Sequence, residues 1–394
     1  MADRILKILL ISTFAVMLGL GIISPLMPIY AQNMGATGIW LGLIFSGFSF
    51  SRFIFMPVIG KLSDHSGRKK FIVIGLFFIV LISILYTFVT KVYELVAVRV
   101  MHGIFSAMVL PIAMAYVGET TLDGSEGKAM GTYNISLFLG MATGPLLGGL
   151  LHESLGMNAV FYAMALLCGM AFFVNWLFLP DVRPNAHRPE RSPIGFRKIL
   201  SNNIVRALFI YRAVNALARG GLMAFLPVVA AQLSLNSVEI GILISVNVLL
   251  TAVLQRRFGM LADRYDNYYM MISGSVVVSL ALGVIPLCRT FSSLFILGAV
   301  IGVASAWSMP AATALNIKLG KELGSMGATV GIFNTAQSIG MITAPLVSGL
   351  VMDLFGIRYI FIVSSGISIA GTILFYLLIR IIKKGRVNPC SAGR

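Results

Sequence analysis

The sequence predicts an all-α integral membrane protein in which twelve transmembrane helices form two pseudo-symmetric bundles of six. Composition is the first reason, since 58% of the 394 residues are hydrophobic and 11% are charged, against about 25% charged residues in soluble domains. An internal repeat is the second reason, because landmark residues of the first half recur 199 or 200 positions later. The recurring pairs are Gly21/Gly220, Pro28/Pro227, Gly42/Gly241, Gly75/Gly274, Gly103/Gly302, Pro111/Pro310, Asn134/Asn334, Gly140/Gly340 and Pro145/Pro345.

Apolar runs long enough to cross about 30 Å of hydrocarbon as helices predict the individual spans. They lie near 6–30, 38–60, 70–90, 93–117, 129–151 and 157–179, and again near 204–230, 238–259, 269–288, 292–316, 327–351 and 357–382. The first run is too long for a signal peptide and has no small-residue cleavage site, so we expect it to remain as a helix. Residues 1–179 are predicted to form the first bundle, 180–203 a cytoplasmic linker, and 204–394 the second bundle with a short tail.

The basic residues predict the orientation in the membrane, because cytoplasmic loops collect Lys and Arg. With both termini cytoplasmic, 23 of the 30 Lys and Arg residues fall on cytoplasmic segments or helix ends. The net charge of +16 then follows from topology. Since this charge is spread over short loops, no nucleic-acid partner is expected. We expect a monomer that crosses the plasma (inner) membrane many times.

Signals for catalysis and cofactors are missing from the sequence. The three cysteines and four histidines are scattered, without the spacing of a disulfide framework or a metal site. The chain has no GxxxxGK[ST] phosphate loop, which argues against ATP hydrolysis. No nucleophile and base recur at an informative spacing either. We therefore expect neither an enzyme nor a bound cofactor or metal.

The loop after the second predicted helix carries a recognisable motif. Residues 60–70 read GKLSDHSGRKK, and residues 259–267 read GMLADRYDN. The first copy resembles the signature loop between helices 2 and 3 of the major facilitator superfamily. Because glycine tolerates unusual backbone angles, Gly60 and Gly67 are expected to allow a tight turn at the helix exit.

Asp64 and Arg68 are close enough in this loop to join one charged network that latches a conformation. The resemblance implies that Asp64 bonds across the interface between the bundles, near the eleventh helix, in the outward-open state and releases it in the inward-open state. The alternative, which we favour for the neighbouring lysines, is that the basic residues only fix topology. The repeat keeps Asp263 but has Asn267 in place of Arg68, so its latch is expected to be weaker.

Three further segments resemble motifs of the same superfamily. Residues 99–103 are similar to its fourth-helix motif, with His102 in place of the glutamine often found there. Residues 140–149 read GMATGPLLGG and match the fifth-helix pattern of drug:proton antiporters. Residues 20–28 resemble the first-helix proline pattern of the twelve-helix drug exporters. On these motifs the chain is identified as similar to the twelve-helix drug:proton antiporter family.

The small residues of the fifth helix predict close contact with a neighbouring helix. A proline within the run removes one backbone hydrogen bond and predicts a kink. We expect either a moving hinge or ordinary close packing. The residues concerned are Gly140, Gly144, Pro145, Gly148 and Gly149.

Arg99 is a charge within an apolar helix, which costs about 2.5–3.5 kcal/mol at the bilayer centre unless water or a partner meets it. The resemblance implies a role in proton transfer or in organising the cavity. His102 is either a titratable partner or a neutral histidine bonded to a neighbouring helix. Because no carboxylate is deeply embedded, the carrier of the coupling proton stays open among Asp64, His102 and Glu119.

The seventh helix carries a polar stripe. Arg212, Asn215 and Arg219 are spaced i, i+3 and i+7, which places them on one helical face. In the resembled fold the first and seventh helices line the central cavity, so a positive cavity for anionic or zwitterionic amphiphiles is expected. The alternatives are that Arg212 reaches the cytoplasmic surface and that Arg219 pairs with a backbone carbonyl. Further expected cavity residues are Tyr133, Asn134, Phe138, Phe225, Asn334 and Gln337.

Two pseudo-symmetric bundles predict a secondary transporter that works by alternating access. The leading hypothesis is proton-coupled export of small amphiphilic, drug-like compounds, with anionic or zwitterionic ones favoured. A lipid or glycolipid flippase of the same fold is the first alternative. A membrane receptor or sensor without transport activity is an alternative of another class.

Overall fold

A computed structural model describes residues 2–121, 126–181 and 199–387, and its regular structure within these ranges is helical. Within this described part of the chain, twelve helical spans are long and apolar enough to cross a membrane. They are α1 (Asp3–Asn33), α2 (Gly38–Ser66), α3 (Arg68–Phe88), α4 (Val92–Thr120), α5 (Ala129–Leu155), α6 (Met157–Phe178), α7 (Asn203–Gln232), α8 (Ser237–Ala262), α9 (Asn267–Leu287), α10 (Phe291–Glu322), α11 (Met326–Phe355) and α12 (Ile357–Ile382). The protein is thus a multi-pass membrane protein. Most of the predicted linker lies outside the described residues, as does the end of the tail.

The spans confirm the predicted number and order of helices but extend beyond several apolar runs. The second helix was expected to end at residue 60, yet α2 continues to Ser66. Polar residues can continue a helix where it leaves the hydrocarbon, because water and headgroups accept their side chains. The expected turn at Gly60 is therefore wrong, since Gly60 lies inside α2. Gly67, with φ +94°, makes the turn alone, and α3 begins at Arg68.

Prolines divide two of the spans into shorter helices. α1 consists of Ala2–Ile23 and Met27–Asn33, and α4 consists of Val92–Ala107 and Leu110–Thr120. A proline occupies one of the first two positions of each second segment. There its missing N–H costs little, because the first helical N–H groups have no intrahelical partner.

Each set of six helices packs as one bundle, and the two bundles use matching pairs. The pairs α1/α5, α2/α4 and α3/α6 in the first bundle correspond to α7/α11, α8/α10 and α9/α12 in the second. Most contact between the bundles comes from two further pairs, α5/α8 and α2/α11, which are also related by the repeat. A chain that crosses the membrane twelve times begins and ends on the same face. We name this face the terminal end and the opposite face the far end.

The bundles are packed together toward the far end. A Cβ added to Gly42 of α2 would lie 2.7 Å from the carbonyl oxygen of Pro345 in α11. The repeat-related Gly241 of α8 meets the carbonyl oxygen of Pro145 in α5 at least as closely. Backbone contact of this kind leaves no room for side chains or solvent. The far end is therefore closed.

At the terminal end the same helix pairs separate. Gly131 of α5 and Gly331 of α11 have no neighbouring atoms within 4 Å of an added Cβ. Ile135 of α5 is 67% exposed and Val253 of α8 is 62% exposed. The space between the bundles consequently opens toward the terminal end.

Candidate substrate cavity

A cavity of about 310 Å³ lies between the bundles, formed by residues of α5, α7, α8, α10 and α11. The expected contribution of the first helix is absent from its described lining. Five side chains proposed from the sequence line it: Phe138, Arg212, Asn215, Arg219 and Gln337. The sequence did not single out the serines and threonine that α8 and α10 add to the wall, which are Thr251, Ser305 and Ser308.

Arg212 reaches across the cavity wall rather than to the membrane surface. Its Nη2 donates a hydrogen bond of 2.5 Å to Gln337 Oε1. The guanidinium carbon lies 4.6 Å from the ring centre of Phe333, a cation–π distance. Its Nε is buried and has no partner among the described residues. Arg212 thus keeps its positive charge without a carboxylate partner.

Arg219 lies two helical turns further along the same face of α7. Its Nη1 lies 2.7 Å from Met309 Sδ, and a thioether is a weak acceptor. Among the described residues, no backbone carbonyl accepts a hydrogen bond from Arg219, so the carbonyl pairing considered from the sequence is not found there. Between the two arginines, Asn215 Nδ2 donates to the carbonyl oxygen of Tyr211 at 3.3 Å and to Ser275 Oγ at 3.2 Å. Since the described lining contains Arg212 and Arg219 but no Asp or Glu, its formal charge is positive.

Four of the residues proposed for this cavity lie elsewhere. Tyr133 and Phe225 are fully buried in the helix packing, and the Tyr133 hydroxyl donates to the carbonyl oxygen of Leu110 at 3.1 Å. Both assignments are corrected to core positions. Asn334 is exposed and outside the described lining, while Asn134 lines a second cavity between α5 and α8. Hydropathy does not distinguish these positions, because lipid, core and cavity walls all accept aromatic side chains.

The second cavity has a volume of about 780 Å³ and lies between the separated parts of α5 and α8. Its wall is mostly apolar, with Asn134, Gln255 and Arg256 among its polar residues. Phe138 belongs to the walls of both cavities. The two spaces are therefore neighbours that share the Phe138 side chain as part of their walls.

The charged network at the terminal end is centred on Arg68, which is 6% exposed. Its Nη2 lies 2.5 Å from both Asp64 Oδ1 and Glu119 Oε1, and its Nη1 donates to Ser63 Oγ at 2.7 Å. All these groups belong to the first bundle. In the second bundle, Asp263 forms no ion pair with any described residue.

Glu119 therefore belongs to the Arg68 network, although the sequence grouped it with Arg99. Arg99 lies in the other segment of α4, 4% exposed, with its guanidinium carbon 4.8 Å from the ring centre of Phe48. Its Nε and Nη1 have no partner among the described residues. His102 Nδ1 lies 3.1 Å from the hydroxyl of Tyr86. Neither Arg99 nor His102 appears in the described lining of the central cavity.

The glycines of α5 face two different helices. A Cβ at Gly140 or Gly144 would meet backbone of α1 at 2.8 or 2.6 Å, and Gly148 also contacts α1. Gly149 instead contacts the backbone of Ser237 in the other bundle. Three of the four glycines thus provide close packing inside the first bundle, whereas Pro145 and Gly149 lie at the interface between bundles. A hinge role for this helix stays a prediction.

Two repeat-related six-helix bundles with a cavity between them form an architecture typical of membrane transporters. The chain belongs to the Major Facilitator Superfamily, whose family model matches residues 9–213 and again 208–392. An uncharacterised MFS-type transporter of Methanocaldococcus jannaschii is 33% identical over 377 residues, covering 94% of this chain and 96% of the relative. The multidrug resistance protein MdtG of Enterobacter lignolyticus is 25% identical over 378 residues, covering 92% and 89%.

Solved structures show the same fold. The crystal structure of a bacterial homologue of the human lysosomal transporter Spinster, inward-facing and unoccupied, superposes with a TM-score of 0.82. It is 14% identical in sequence, and the match covers 97% of this chain and 98% of that one. Family and structural neighbours are transporters, so this protein is a transporter rather than an enzyme.

Proposed function

We propose that this protein exports small amphiphilic compounds that carry an anionic or zwitterionic group, in exchange for protons. The observation that carries the substrate class is the pair Arg212 and Arg219 in a cavity without lining carboxylates. A buried charge is costly unless a partner meets it. An anionic substrate supplies that partner, whereas a cationic substrate adds a like charge.

Export of drug-like compounds is supported by the relatives named multidrug resistance protein and by the fifth-helix motif. The apolar part of the cavity wall, which includes Phe138, Met223 and Met341, suits varied apolar substrate bodies. The distribution of basic residues supports a plasma-membrane protein with cytoplasmic termini. In that orientation the cavity opens to the cytoplasm.

Alternating access is supported by the contrast between the closed far end and the open terminal end. In the opposite state the terminal ends of α2 and α11 would meet, and Asp64 would come within reach of α11. In the present state Asp64 bonds Arg68 within its own bundle. We place the coupling proton at one of three groups, Asp64, Glu119 or His102.

The proposal is tested by flux through proteoliposomes that contain the purified full-length chain. A fluorescent alkyl sulfonate and a fluorescent alkylammonium with the same alkyl chain are compared, with and without an imposed pH gradient. Arg219→Ala should lower sulfonate flux about tenfold or more, because a hydrogen bond to a charged group contributes about 1.5–3 kcal/mol. Arg380→Ala is the matched control, since Arg380 is exposed and remote from the cavity.

Three results would contradict parts of this proposal. Ammonium flux that exceeds sulfonate flux and is insensitive to Arg219→Ala contradicts the substrate class. Sulfonate flux that does not respond to the pH gradient contradicts proton coupling and favours uniport or anion exchange. Equal losses in Arg219→Ala and Arg380→Ala contradict the assigned site.

A lipid or glycolipid flippase is the second candidate, and the cavity between α5 and α8 favours it. Exposed apolar side chains such as Ile135 and Val253 are part of its lining, which suits a hydrocarbon chain. A hydrocarbon chain could occupy this space while the headgroup lies in the central cavity, past Phe138. Reconstitution with headgroup-labelled phosphatidylglycerol tests this function. Transbilayer movement of the label that is lost in Phe138→Trp supports a flippase, and no movement in the wild type excludes it for that lipid.

A further inference from the structure

Two carboxylates at the far end connect the bundles through the N-termini of helices. Asp353, near the end of α11, accepts hydrogen bonds from the backbone N–H groups of Gly38 at 2.6 Å and Ile39 at 2.8 Å. Each N–H bonds a different carboxylate oxygen. Gly38 and Ile39 are the first two residues of α2, which belongs to the other bundle. Asp353 therefore caps a helix across the interface.

The repeat-related contact has the same chemistry. Glu153 lies 200 positions before Asp353, near the end of α5, and its Oε2 accepts from the N–H of Ser237 at 3.3 Å. Ser237 is the first residue of α8 and lies 199 positions after Gly38. His152 Nδ1 adds a contact of 2.7 Å with Ser237 Oγ. Each bundle thus contributes one carboxylate, and each has one helix N-terminus that is capped by the carboxylate of the other bundle.

Helix N-termini are favourable partners for such carboxylates. The first four N–H groups of a helix have no intrahelical acceptor, and the helix dipole gives this end a partial positive charge. Hydrogen bonds to an ionised carboxylate are shorter and stronger than neutral ones. Among the described residues, no Lys, Arg or His nitrogen lies within 4 Å of Asp353 or Glu153. The helix ends are therefore their main electrostatic partners.

The two contacts differ in what the capped helix would lose. Thr37, at the N-cap of α2, makes no side-chain capping bond, so Asp353 supplies the side-chain acceptor. The N-terminus of α8 has its own capping box, in which Asn236 accepts from the N–H of Glu239 at 2.9 Å. The Glu239 side chain in turn accepts from the N–H of Asn236 at 2.9 Å. When the far end opens, α8 keeps a cap and α2 loses one.

We propose that Asp353 is the principal lock of the closed far end and that Glu153 is its secondary counterpart. Both are positioning residues, since they set which end is open and do not contact the substrate cavity. The lock holds for any substrate, so it is independent of the proposed substrate class. Removing a helix cap shifts an equilibrium about 2- to 30-fold, and the shift should be larger at Asp353.

Spin labels on opposite bundles at the far end measure this equilibrium directly. Phe88 and Leu287 are suitable label sites, because both are exposed and they are related by the repeat. The labelled full-length chain, with its native cysteines replaced by serine, is reconstituted in liposomes, and pulsed dipolar spectroscopy records the populations of short and long distances. Asp353→Ala should raise the long-distance population about 2- to 30-fold. Glu153→Gln should raise it less.

Matched controls come from carboxylates that cap helices at the same end within one bundle. Glu94 accepts from the N–H groups of Thr90 and Lys91 at 3.0 and 3.1 Å, and Glu239 belongs to the α8 capping box. Glu94→Gln and Glu239→Gln should leave the distances unchanged. Asp353→Asn keeps one oxygen acceptor and is the substitute if the alanine variant does not fold. It should raise the long-distance population less than Asp353→Ala does.

Transport kinetics give a second measurement, which would not change if Asp353 had a purely structural role. If fewer molecules are open at the terminal end, the KM measured from that side rises by the same factor as the open population falls. Wild-type distances in both Asp353 variants, or equal shifts in the Glu94 and Glu239 controls, would overturn the proposal.

Discussion

The two bundles have the same packing scaffold but different placement of charge. In the first bundle Arg68 and Arg99 are buried within the bundle, against carboxylates in one case and aromatic rings in the other. In the second bundle Arg212 and Arg219 line the central cavity. The repeat offset pairs Arg68 with Asn267 and Arg212 with Thr13, so neither charge has a counterpart.

This difference separates two features of the fold, which are close helix packing and the placement of charge. Close backbone contact depends on glycine and proline, and the repeat retains these at matching positions. Arg68 and Arg212, in contrast, lie at positions where the other copy has no matching charge, as Asn267 and Thr13 show. The first bundle therefore carries the network at the terminal end, and the second carries most of the polar cavity wall.

The largest expected effect concerns packing at Gly144 and Ala344, one pair of positions where the bundles differ. Gly144 contacts the backbone of Gly21, whereas its counterpart Ala344 already carries a Cβ and faces Gly220. Gly144→Leu should destabilise the protein by about 3 kcal/mol, because overpacking forces backbone shifts. Ala344→Gly should cost about 1 kcal/mol through added chain entropy. Thermal unfolding in detergent, followed by circular dichroism, measures both.

The second prediction tests the separation of roles by substrate selectivity. Arg212→Gln should lower the ratio of anionic to cationic flux about tenfold, because it removes a cavity charge. Arg99→Gln should change total flux but leave this ratio within about twofold, since Arg99 lies outside the cavity lining. Competition between the sulfonate and ammonium probes measures the ratio. A change of ratio in Arg99→Gln as large as that in Arg212→Gln would contradict the comparison.

The third prediction concerns the network at the terminal end. Arg68→Gln leaves Asp64 and Glu119 without their cation. Because these carboxylates are partly exposed, water offsets much of the loss, and we expect a cost of about 1–2 kcal/mol in unfolding free energy. Lys69→Gln is the control, since it removes an adjacent charge that forms no ion pair with any described residue. Urea unfolding should show a lower free energy of unfolding than the wild type for Arg68→Gln and no change for Lys69→Gln.

The smallest effect is expected from building the missing ion pair of the second bundle. Asn267→Arg places an arginine four residues after Asp263, as Arg68 follows Asp64. Because Asp263 is exposed, the new pair should contribute about 0.2–1 kcal/mol. The gain should disappear in the double variant with Asp263→Asn and shrink in high salt. A double-mutant cycle on thermal stability measures it, and no coupling would show that the new side chain points elsewhere.

Much of the fold could be predicted from the sequence, because membrane helices require long apolar runs and the repeat divides them into two related sets of six. The polar face of α7 was also predictable, since Arg212, Asn215 and Arg219 share one helical face and lipid disfavours it. Aromatic positions were not, because Tyr133 and Phe225 are as compatible with a cavity wall as with the core they occupy.

The remaining discrepancies come from distances that a linear sequence does not show. Glu119 and Arg99 share α4 but lie in its two different segments. Glu119 therefore pairs with Arg68 rather than acting beside Arg99. Gly60 precedes a turn in the sequence, yet the helix continues past it. The caps by Asp353 and Glu153 also depend on how the bundles meet, although their spacing of 200 residues was a usable signal.

The central claim is that the cavity between the bundles binds anions through Arg212 and Arg219 of the second bundle. Isothermal titration of the purified full-length protein with an alkyl sulfonate and with the matching alkylammonium tests it most directly. The wild type should bind the sulfonate more tightly, and the double variant Arg212→Gln, Arg219→Gln should bind it about a hundredfold more weakly. Tighter binding of the ammonium, or sulfonate binding that is unchanged in the double variant, would contradict the account.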